Sequence, residues 1–448
     1  MQFLNPYLVR VYQDLSVRCQ HEPEFLQAVN EFFSSLELIV PTMPKLEEQS
    51  ILERLIEPER IITFRVPWQN DQGKIIVNRG YRIQFNSAIG PYKGGLRFDE
   101  SVNLSILKFL AFEQTFKNAL TGLPMGGGKG GSDFSSRGKS DQEIMRFCQS
   151  FMSELYRHIG PSCDVPAGDL GVGAREVGYL FGYYKKLANE FTGTFTGKGL
   201  SFGGSLARTE ATGYGVCYFT QEMLANQKQT SLKNKRVIVT GSGNVASFTA
   251  KKAIDLGAKV VAVNDIDCCI IDEEGININT IIALKQHQKS LLTYRDHHLN
   301  ATITPNRRDI WSVPCDIAFP CATQNELDVE DVKKLIDNGV MAICEGANMP
   351  TTLEATALIQ KSGILFTPGK ASNAGGVATS GLEMSQNSIR QSWTFDEVDQ
   401  KLQQIMKNIY QTCYNTSVSV GQPGNLVVGA NISGFLKVAE AMLAQGII

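Results

Sequence analysis

The chain has 448 residues, of which 43% are apolar and 20% are charged, and its formal net charge is −2. This length exceeds what one hydrophobic core usually spans, so we expect a globular protein of two domains. The near-neutral charge gives no reason to expect nucleic acid or a membrane as a partner, and the lack of a signal-peptide pattern or a long apolar run predicts a cytoplasmic protein.

The N-terminal region, residues 1 to about 60, has apolar side chains at helical spacing and is predicted to form packing helices that contribute to a subunit contact. Two strands follow at Ile61–Val66 and Gly80–Asn86, with turn chemistry between them. A helix is predicted over Leu104–Ala119, and it carries Gln114 and Lys117 three positions apart, hence on one face.

Two lysines are flanked by glycines. Lys93 lies within Gly90–Phe98, and Lys129 lies within Thr121–Gly131, which contains six glycines. Because glycine allows positive φ and the close approach of another group, the second stretch predicts a loop that presents one amine. It is not a phosphate-binding P-loop, since Gly rather than Ser or Thr follows the lysine. With Lys117, the sequence brings three lysines to one neighbourhood.

A capping box, Ser140 with Glu143, predicts the start of a further helix that ends before Gly160. A short apolar run then breaks at Asp169. An aspartate ahead of a helical pattern is often only the N-cap of that helix, so the residues by themselves leave its role open between a cap and a functional carboxylate.

From about Thr209 the pattern changes to short apolar strands that alternate with helices, which predicts a parallel, doubly wound sheet. The predicted strands are Arg236–Thr240, Lys259–Asn264, Asp316–Phe319, Val340–Cys344 and Ile364–Thr367. The glycine-rich stretch 197–205 is the best domain boundary by composition.

The first of these strands ends in a glycine-rich turn that is typical of dinucleotide-binding folds. The turn contains Gly241, Ser242, Gly243, Asn244 and Val245, and a helix follows it. Its glycines allow a pyrophosphate to approach the amide donors of that helix.

The next strand leads to Asp265, placed to bind the ribose of a dinucleotide. An acid there favours NAD, whereas Ser242, or Lys139 from the upstream half, favours NADP. The residues leave this choice open.

The ten cysteines are scattered without a C-x-x-C motif, and the five histidines lack metal-ligand spacing. We therefore expect reduced thiols and no metal site. A dinucleotide fold downstream of a lysine-rich glycine pocket points to hydride transfer on an anionic substrate, with chemistry that depends on acid–base and electrostatic catalysis.

Several long motifs match one family in the same order along nearly the whole chain. They are Pro91–Phe98, Glu113–Asn118, Leu123–Gly131, Val165–Gly173, Gly203–Arg208, Glu210–Gly215 and Asn373–Gly376. The chain resembles the hexameric glutamate dehydrogenases of bacteria and lower eukaryotes.

The resemblance implies an α/β fold of two domains with the active site in the cleft. One is an N-terminal substrate and oligomerisation domain, 1–202 with the returning segment 424–448, which has a mixed sheet and helices. The other is a Rossmann-like doubly wound nucleotide domain, 203–423. It also implies a homohexamer that converts L-glutamate to 2-oxoglutarate and ammonium with NADP or NAD, NADP being slightly favoured.

The resemblance also assigns roles to residues. Lys129 corresponds to the catalytic lysine and Asp169 to the proton-transfer residue. The substrate-binding positions are Lys93, Gln114, Lys117, Arg208, Val377 and Ser380, and the cofactor positions are Thr212, Asn244, Asn348 and Asn373 together with the glycine-rich turn and Asp265. Relatives that act on leucine, valine or phenylalanine have apolar residues in place of Lys93 and Ser380, so a dicarboxylate is implied here.

The sequence leaves two alternatives to this reading. One is a dehydrogenase of branched-chain or aromatic amino acids, and the other is a catalytically inactive nucleotide-binding subunit.

Overall fold

The computed structural model describes residues 3–287 and 289–448. The chain forms two compact units. The first contains Met1–Leu206, Ser380–Phe395 and Asn431–Ile448, and the second contains Ala207–Thr379 and Asp396–Ala430. These limits differ from the predicted domain limits chiefly at 380–395, which the sequence assigned to the nucleotide domain.

The segment 380–395 belongs to the first unit because buried polar side chains fasten it to the stretch 193–205. Glu383 forms an ion pair with Lys198, 2.7 Å between Oε1 and Nζ, and both side chains are at most 1% exposed. The Glu383 carboxylate also accepts the backbone amide of Gly197 at 2.9 Å. Asn387 Nδ2 donates to the carbonyl of Gly203 at 2.8 Å, so the predicted domain boundary is a fixed part of this unit.

Helices of the first unit surround one mixed sheet. The helices are α1 (Pro6–Arg18), α2 (Pro23–Leu36), α3 (Lys45–Glu48), α4 (Ile51–Leu55), α5 (Leu104–Leu120), α6 (Asp141–Leu155) and α7 (Ala174–Ala188), with short 3₁₀ helices at Val40–Thr42, Tyr156–His158 and Leu200–Phe202. The capping box of α6 is confirmed, since Ser140 Oγ accepts from the amide of Glu143 and the Glu143 carboxylate accepts from the amide of Ser140, both at 3.1 Å.

The sheet of the first unit contains β1 (Arg60–Gln69), β2 (Ile75–Asn86), β3 (Tyr92–Phe98), β4 (Gly127–Ser132) and β5 (Asp164–Gly168). Their spatial order is β1-β2-β4-β3-β5. The pairs β1/β2 and β2/β4 are antiparallel, whereas β3 is parallel to both β4 and β5. The two strands predicted on either side of a turn are confirmed as β1 and β2, and both are longer than expected.

The glycine-rich stretch around Lys129 is where the prediction of a loop was wrong. Residues 127–132 form β4, an inner strand between β2 and β3. A Cβ at Gly127 would lie 1.9 Å from Thr115 Oγ1 of α5, and a Cβ at Gly131 would lie 2.1 Å from the carbonyl oxygen of Arg97, with φ at +155°. The glycines therefore serve close packing of the strand, not loop flexibility.

The core of the first unit lies between the sheet and the helices α6 and α7. It contains Leu96, Phe98, Phe134, Phe147, Phe151 and Leu180 among other buried side chains. Phe134 and Phe147 stack with ring centroids 3.7 Å apart. This apolar layer supports the sheet, and β3 and β4 of that sheet carry Lys93 and Lys129.

The second unit is built on a largely parallel sheet. Its strands are β6 (Arg236–Val239), β7 (Lys259–Asn264), β8 (Cys269–Ile271), β9 (Thr302–Thr304), β10 (Ile317–Phe319), β11 (Ala342–Cys344) and β12 (Leu365–Thr367), in the order β12-β11-β10-β6-β7-β8-β9. The five predicted strands are confirmed and are mutually parallel. The additional strands β8 and β9 are antiparallel and were not predicted.

The helices that begin in or continue through the second unit are α8 (Ala211–Lys228), α9 (Asn244–Asp255), α10 (Ile278–Gln286), α11 (Val329–Asp337), α12 (Leu353–Ser362), α13 (Gly369–Ser372), α14 (Gly375–Ile389), α15 (Phe395–Ser419) and α16 (Leu426–Gln445), with 3₁₀ helices at Leu291–Asp296 and Arg307–Ser312. The expected α/β class with a doubly wound nucleotide-binding sheet is confirmed. Among the described residues, α16 alone is long and apolar enough to cross a bilayer, but only by length and composition, and 50% of its apolar window is buried in the fold.

Candidate active site

Lys129 and Asp169 form the centre of the candidate site in the first unit. Lys129 lies on β4, opposite Ile83 of β2, and its side chain is 6% exposed. Its Nζ lies 3.0 Å from Oδ1 of Asp169. The other carboxylate oxygen, Oδ2, accepts from Nε of Arg97 on β3 at 2.8 Å. The sheet thus places two cations on one carboxylate.

Asp169 is held by a tight turn after β5 and is not a helix cap. Its carbonyl accepts from the amide of Val172 at 2.9 Å, and the carbonyl of Leu170 accepts from the amide of Phe98 at 2.9 Å. The N-cap of α7 is Gly173, whose amide donates to the carboxylate of Glu176. The alternative reading of Asp169 as an N-cap was therefore wrong.

The charges around this pair control both protonation states. Burial lowers the pKa of Lys129, and the positive charges of Arg97 and Arg82 lower it further, although the carboxylate of Asp169 opposes them. For Asp169, burial acts to raise the pKa, but Lys129 and Arg97 outweigh it and bring the pKa to about 2. The carboxylate is therefore ionised at neutral pH.

Lys93 is fixed on β3 beside this centre and is 1% exposed. Its Nζ donates to the carbonyl of Val165 on β5 at 3.0 Å. Asn118 of α5 donates from Nδ2 to the carbonyl of Lys93 at 3.0 Å and to that of Gly126 at 2.5 Å, which ties the helix to both glycine-rich segments. The backbone position of Lys93 is thus set from three elements.

The remaining predicted substrate residues of the first unit lie on α5 and α14. Gln114 Nε2 donates to Oδ1 of Asn118 at 2.6 Å, and Lys117 lies one turn along the same face. Ser380 is 2% exposed, and the next residue, Gly381, approaches the side chains of Leu123 and Met125. The structure therefore brings together the elements that carry Lys93, Lys117, Lys129 and Ser380.

A second buried ion pair supports the strands next to the site. Arg82 of β2 and Asp164 of β5 are both 0% exposed. Arg82 Nε donates to Asp164 Oδ2 at 2.9 Å, and Nη1 donates to the carbonyl of Gly94 at 3.1 Å. The pair therefore links β2, β3 and β5, and removal of either partner would leave an uncompensated buried charge.

In the second unit the glycine-rich turn borders a cavity of about 430 Å³. Gly241 has φ of +87°, and its amide donates to Oδ1 of Asn264 at 2.6 Å. A Cβ built at Gly243 would have no atom within 4 Å, so this side of the turn is open. Because Gly243 is the N-cap of α9 and has no side chain, the first amides of that helix can receive an anion, as a dinucleotide pyrophosphate requires.

Asp265 lies in the same cavity and is paired with a cation. Lys285 Nζ lies 2.8 Å from its Oδ2. Burial acts to raise the pKa of Asp265, but hydrogen bonds from Lys285 and Ser242 lower it overall. Arg307 and Arg308 also line the cavity. The acid predicted to bind ribose is thus partly neutralised.

The other predicted cofactor residues also belong to the second unit. Asn373 Nδ2 donates to Oδ1 of Asn348 at 2.9 Å and to the carbonyl of Gly346 at 3.1 Å. A Cβ at Gly346 would lie 3.3 Å from Val245, so the two asparagines are held close to the glycine-rich turn. Thr212 lies against Gly376 at the start of α14.

Two of the predicted substrate residues, Arg208 and Val377, belong to a different unit from the other four. Both lie in the second unit, whereas Lys93, Gln114, Lys117 and Ser380 lie in the first. Val377 is nevertheless one turn before Ser380 on α14, so the two side chains share a face of one continuous helix.

Three residues of these sites, Arg97, Lys285 and Arg307, were not predicted from the sequence. Strand periodicity contained a signal for Arg97, because Lys93 and Arg97 are four positions apart, and residues at that spacing in a strand lie on one side of a sheet. Lys285 had no comparable signal. It lies on α10, and only the tertiary fold brings it to Asp265.

The chain matches two family models. Residues 203–446 match the model described as Glutamate/Leucine/Phenylalanine/Valine dehydrogenase, and residues 58–186 match the model described as Glu/Leu/Phe/Val dehydrogenase, dimerisation domain.

Individual proteins are similar to the chain over nearly its full length. An NADP-specific glutamate dehydrogenase of Haemophilus influenzae is 55% identical, with 99% of this chain and 98% of that protein covered. An NAD-specific glutamate dehydrogenase of Bacteroides fragilis is 56% identical, with 98% and 99% covered. The crystal structure of Plasmodium falciparum glutamate dehydrogenase has 49% identity and a TM-score of 0.96, with 98% of this chain and 95% of that chain covered.

Proposed function

The chain belongs to the Glu/Leu/Phe/Val dehydrogenase family, and from this premise we propose how its own residues carry out the reaction. The protein is an oxidoreductase that interconverts L-glutamate with 2-oxoglutarate and ammonium and uses NAD or NADP as cofactor. The observation that carries the proposed mechanism is the contact of Lys129 with Asp169, within a unit that also carries Lys93 and Lys117.

The substrate is bound by positive charge. Lys117 and Gln114 on α5 bind the α-carboxylate, and Lys93 with Ser380 binds the side-chain carboxylate. This assignment is supported by the burial of Lys93 and Ser380, at 1% and 2% exposed, since charge interactions are stronger away from water. A buried ammonium and hydroxyl also suit a second carboxylate better than the aliphatic side chain of leucine or valine. The substrate contacts predicted for Arg208 and Val377 stay predictions.

Lys129 and Asp169 supply the acid–base chemistry. After Cα of glutamate loses its hydride, Lys129 in its neutral form removes a proton from water as the water adds to the iminium carbon. Asp169 exchanges protons with the substrate nitrogen, which leaves as ammonia and takes up a proton. The lowered pKa of Lys129 supports the first role, because a general base must be partly neutral near the working pH.

The second unit holds the dinucleotide. The bound dinucleotide would supply the hydride acceptor for Cα of glutamate and, in the reverse direction, the hydride donor. Gly241, Ser242, Gly243, Asn244 and Val245 cradle the pyrophosphate at the start of α9. Thr212, Asn348 and Asn373 orient the nicotinamide half.

NADP is favoured over NAD. The pairing of Asp265 with Lys285 reduces the repulsion that a bare carboxylate would exert on a 2′-phosphate, and Arg307 lines the same cavity. Carboxylates pair with two of the lining cations, Arg308 with Asp328 and Asp331, and Lys285 with Asp265. We therefore assign Arg307 as the residue that binds the 2′-phosphate.

The proposed assembly is a cytoplasmic homohexamer in which the first unit serves substrate binding and oligomerisation and the second unit serves nucleotide binding. Support comes from the dimerisation-domain match over 58–186 and from apolar side chains exposed on the β1–β2 hairpin, namely Ile61, Ile75 and Val77. Size-exclusion chromatography with light scattering tests it, and a monomeric mass for the active enzyme would reject it.

The reaction is tested by absorbance at about 340 nm with 2-oxoglutarate and ammonium, with NADH and NADPH run side by side. We expect consumption of reduced cofactor, faster with NADPH. Leucine, valine and phenylalanine are then compared with glutamate in the oxidative direction. No turnover with either cofactor would reject the function, and a higher kcat/KM with NADH would reject only the cofactor preference.

A further inference from the structure

Arg97 is a charged side chain in direct contact with Asp169, and the proposed mechanism gives it no role. It lies on β3 opposite Gly131 of β4, and its Nε donates to Asp169 Oδ2 at 2.8 Å. The two carboxylate oxygens are thereby divided, with Oδ1 on Lys129 and Oδ2 on Arg97. The side chains of Arg97 and Asp169 are 21% and 19% exposed, so they are sheltered but within reach of a ligand.

The backbone fixes this arrangement on both sides. The turn that carries Asp169 is hydrogen-bonded to β3 through the amide of Phe98, the residue next to Arg97. Gly95, on the same strand, lets the turn approach, because a Cβ there would lie 2.7 Å from Cβ of Asp169. Arg97 and Asp169 are therefore presented to each other by rigid neighbouring backbone.

We propose that Arg97 is a positioning residue for the proposed reaction. By holding Oδ2, it keeps Asp169 in one orientation and stops both carboxylate oxygens from pairing with Lys129, which leaves the amine of Lys129 available as a base. This inference rests on the function proposed above and extends it to a residue outside the assigned catalytic pair.

The electrostatics agree with this geometry. Besides burial, the pKa of Lys129 is lowered by Arg97 and Arg82 and raised by Asp169. The helix α5, which packs on β4, carries three charged residues, Lys108, Glu113 and Lys117. Removal of Arg97 takes away one lowering charge and frees the carboxylate to pair fully with Lys129. Both effects raise the pKa of Lys129.

The test is the pH dependence of kcat/KM for glutamate in Arg97→Gln, compared with wild type. Because turnover needs neutral Lys129, the rate rises with pH through the pKa of Lys129. We expect Arg97→Gln to shift this ascending limb to higher pH by about half a pH unit or more. At neutral pH kcat should fall about 10- to 100-fold, which corresponds to the loss of one charge-assisted hydrogen bond. KM for the nucleotide should change by less than about twofold.

Two further variants separate positioning from general damage. Arg97→Lys keeps the positive charge and should move the limb back toward wild type. Arg157→Gln makes the same chemical change at a side chain 54% exposed on the surface and should leave both kcat and the limb unchanged. Circular dichroism and thermal unfolding verify that each variant is folded.

The outcomes are distinguishable. An ascending limb in Arg97→Gln that coincides with wild type would overturn the inference, whether or not kcat falls, since a purely structural defect lowers kcat without moving the limb. An inactive wild-type enzyme would instead reject the reaction itself, and the role of Arg97 with it.

Discussion

Lys129 Nζ lies 3.0 Å from Asp169 Oδ1, although the lysine is on an inner strand and the aspartate is in a turn after an edge strand of the same sheet. The two side chains come from different segments of the sheet. The contact forms only when β3, β4 and β5 are assembled, so the proposed catalytic pair depends on the assembled sheet.

Asp169→Asn removes the proposed proton-transfer group and keeps nearly the same volume. We expect kcat to fall by about 10²- to 10⁴-fold, the usual contribution of a general acid–base group. Glutamate and nucleotide should still bind, as measured by calorimetry. Asp141→Asn, a carboxylate 67% exposed on α6, is the matched control. Near-normal kcat in Asp169→Asn would remove this residue from the chemistry.

Lys93→Leu combined with Ser380→Val replaces the proposed contacts of the side-chain carboxylate by apolar groups. The double variant should lose kcat/KM for glutamate by at least about 100-fold, because a buried carboxylate would lack partners, and should gain relative activity on norvaline and leucine. Steady-state kinetics on the three amino acids measures the shift. Retained selectivity for glutamate would show that these two residues do not select the substrate.

Lys285→Ala leaves the Asp265 carboxylate without its 2.8 Å partner. A bare carboxylate repels a 2′-phosphate, so the ratio of kcat/KM for NADPH to that for NADH should fall by about tenfold, equivalent to about 1.4 kcal/mol. Lys333→Ala, at a lysine 56% exposed on α11, serves as the control. If the ratio stays at the wild-type value, Lys285 has no part in the cofactor preference.

Lys198→Met removes the buried ion pair between Lys198 and Glu383 of α14. The loss of one partner should lower the free energy of unfolding by about 3–5 kcal/mol, since it leaves the Glu383 carboxylate buried and uncompensated. Lys198→Met with Glu383→Leu should recover most of that loss. Chemical unfolding at fixed protein concentration compares the variants, and a double variant no more stable than the single one would contradict the explanation.

The raised pKa of Glu345, the residue that follows β11, should make the stability of the fold depend on pH. It is 5% exposed, and burial raises its pKa from 4.5 to about 7. Because the folded state therefore binds this proton more tightly than the unfolded chain, the stability it contributes is fully present below about pH 4.5 and is lost as pH rises through about 7.

Glu345→Gln, which cannot ionise, should remove that loss and gain stability relative to wild type above about pH 7, on the order of 3 kcal/mol at most. Unfolding midpoints measured between about pH 5 and pH 9 give the difference. A constant difference between variant and wild type across that range would mean that Glu345 does not titrate there.

Features specified by neighbouring residues could be predicted from the sequence. The capping box at Ser140 and the turn at Gly241–Gly243 each depend on side chains and dihedral angles within a few positions, and the structure contains both. The alternation of strands and helices likewise predicted the parallel sheet of the second unit.

Features that depend on distant partners could not be predicted in the same way. The local sequence of β4 predicts a flexible glycine loop. The segment is extended because it is hydrogen-bonded to β2 on one side and to β3 on the other. The neutralisation of Asp265 by Lys285 depends on where α10 packs. Asp169 is not the cap of α7 because it lies in a turn that is hydrogen-bonded to β3, and Gly173 is the N-cap of that helix.

The close packing of β4 also makes this strand unusually intolerant of change. At Gly127 and Gly131 an added methyl group would come within 1.9 and 2.1 Å of neighbouring atoms, so even alanine has no room. In a saturation mutagenesis screen, these positions should reject every replacement as firmly as Lys129 itself does. Their intolerance would reflect crowding and, at Gly131, a positive φ, and a functional screen would score them as catalytic although they have no side chain to take part in the chemistry.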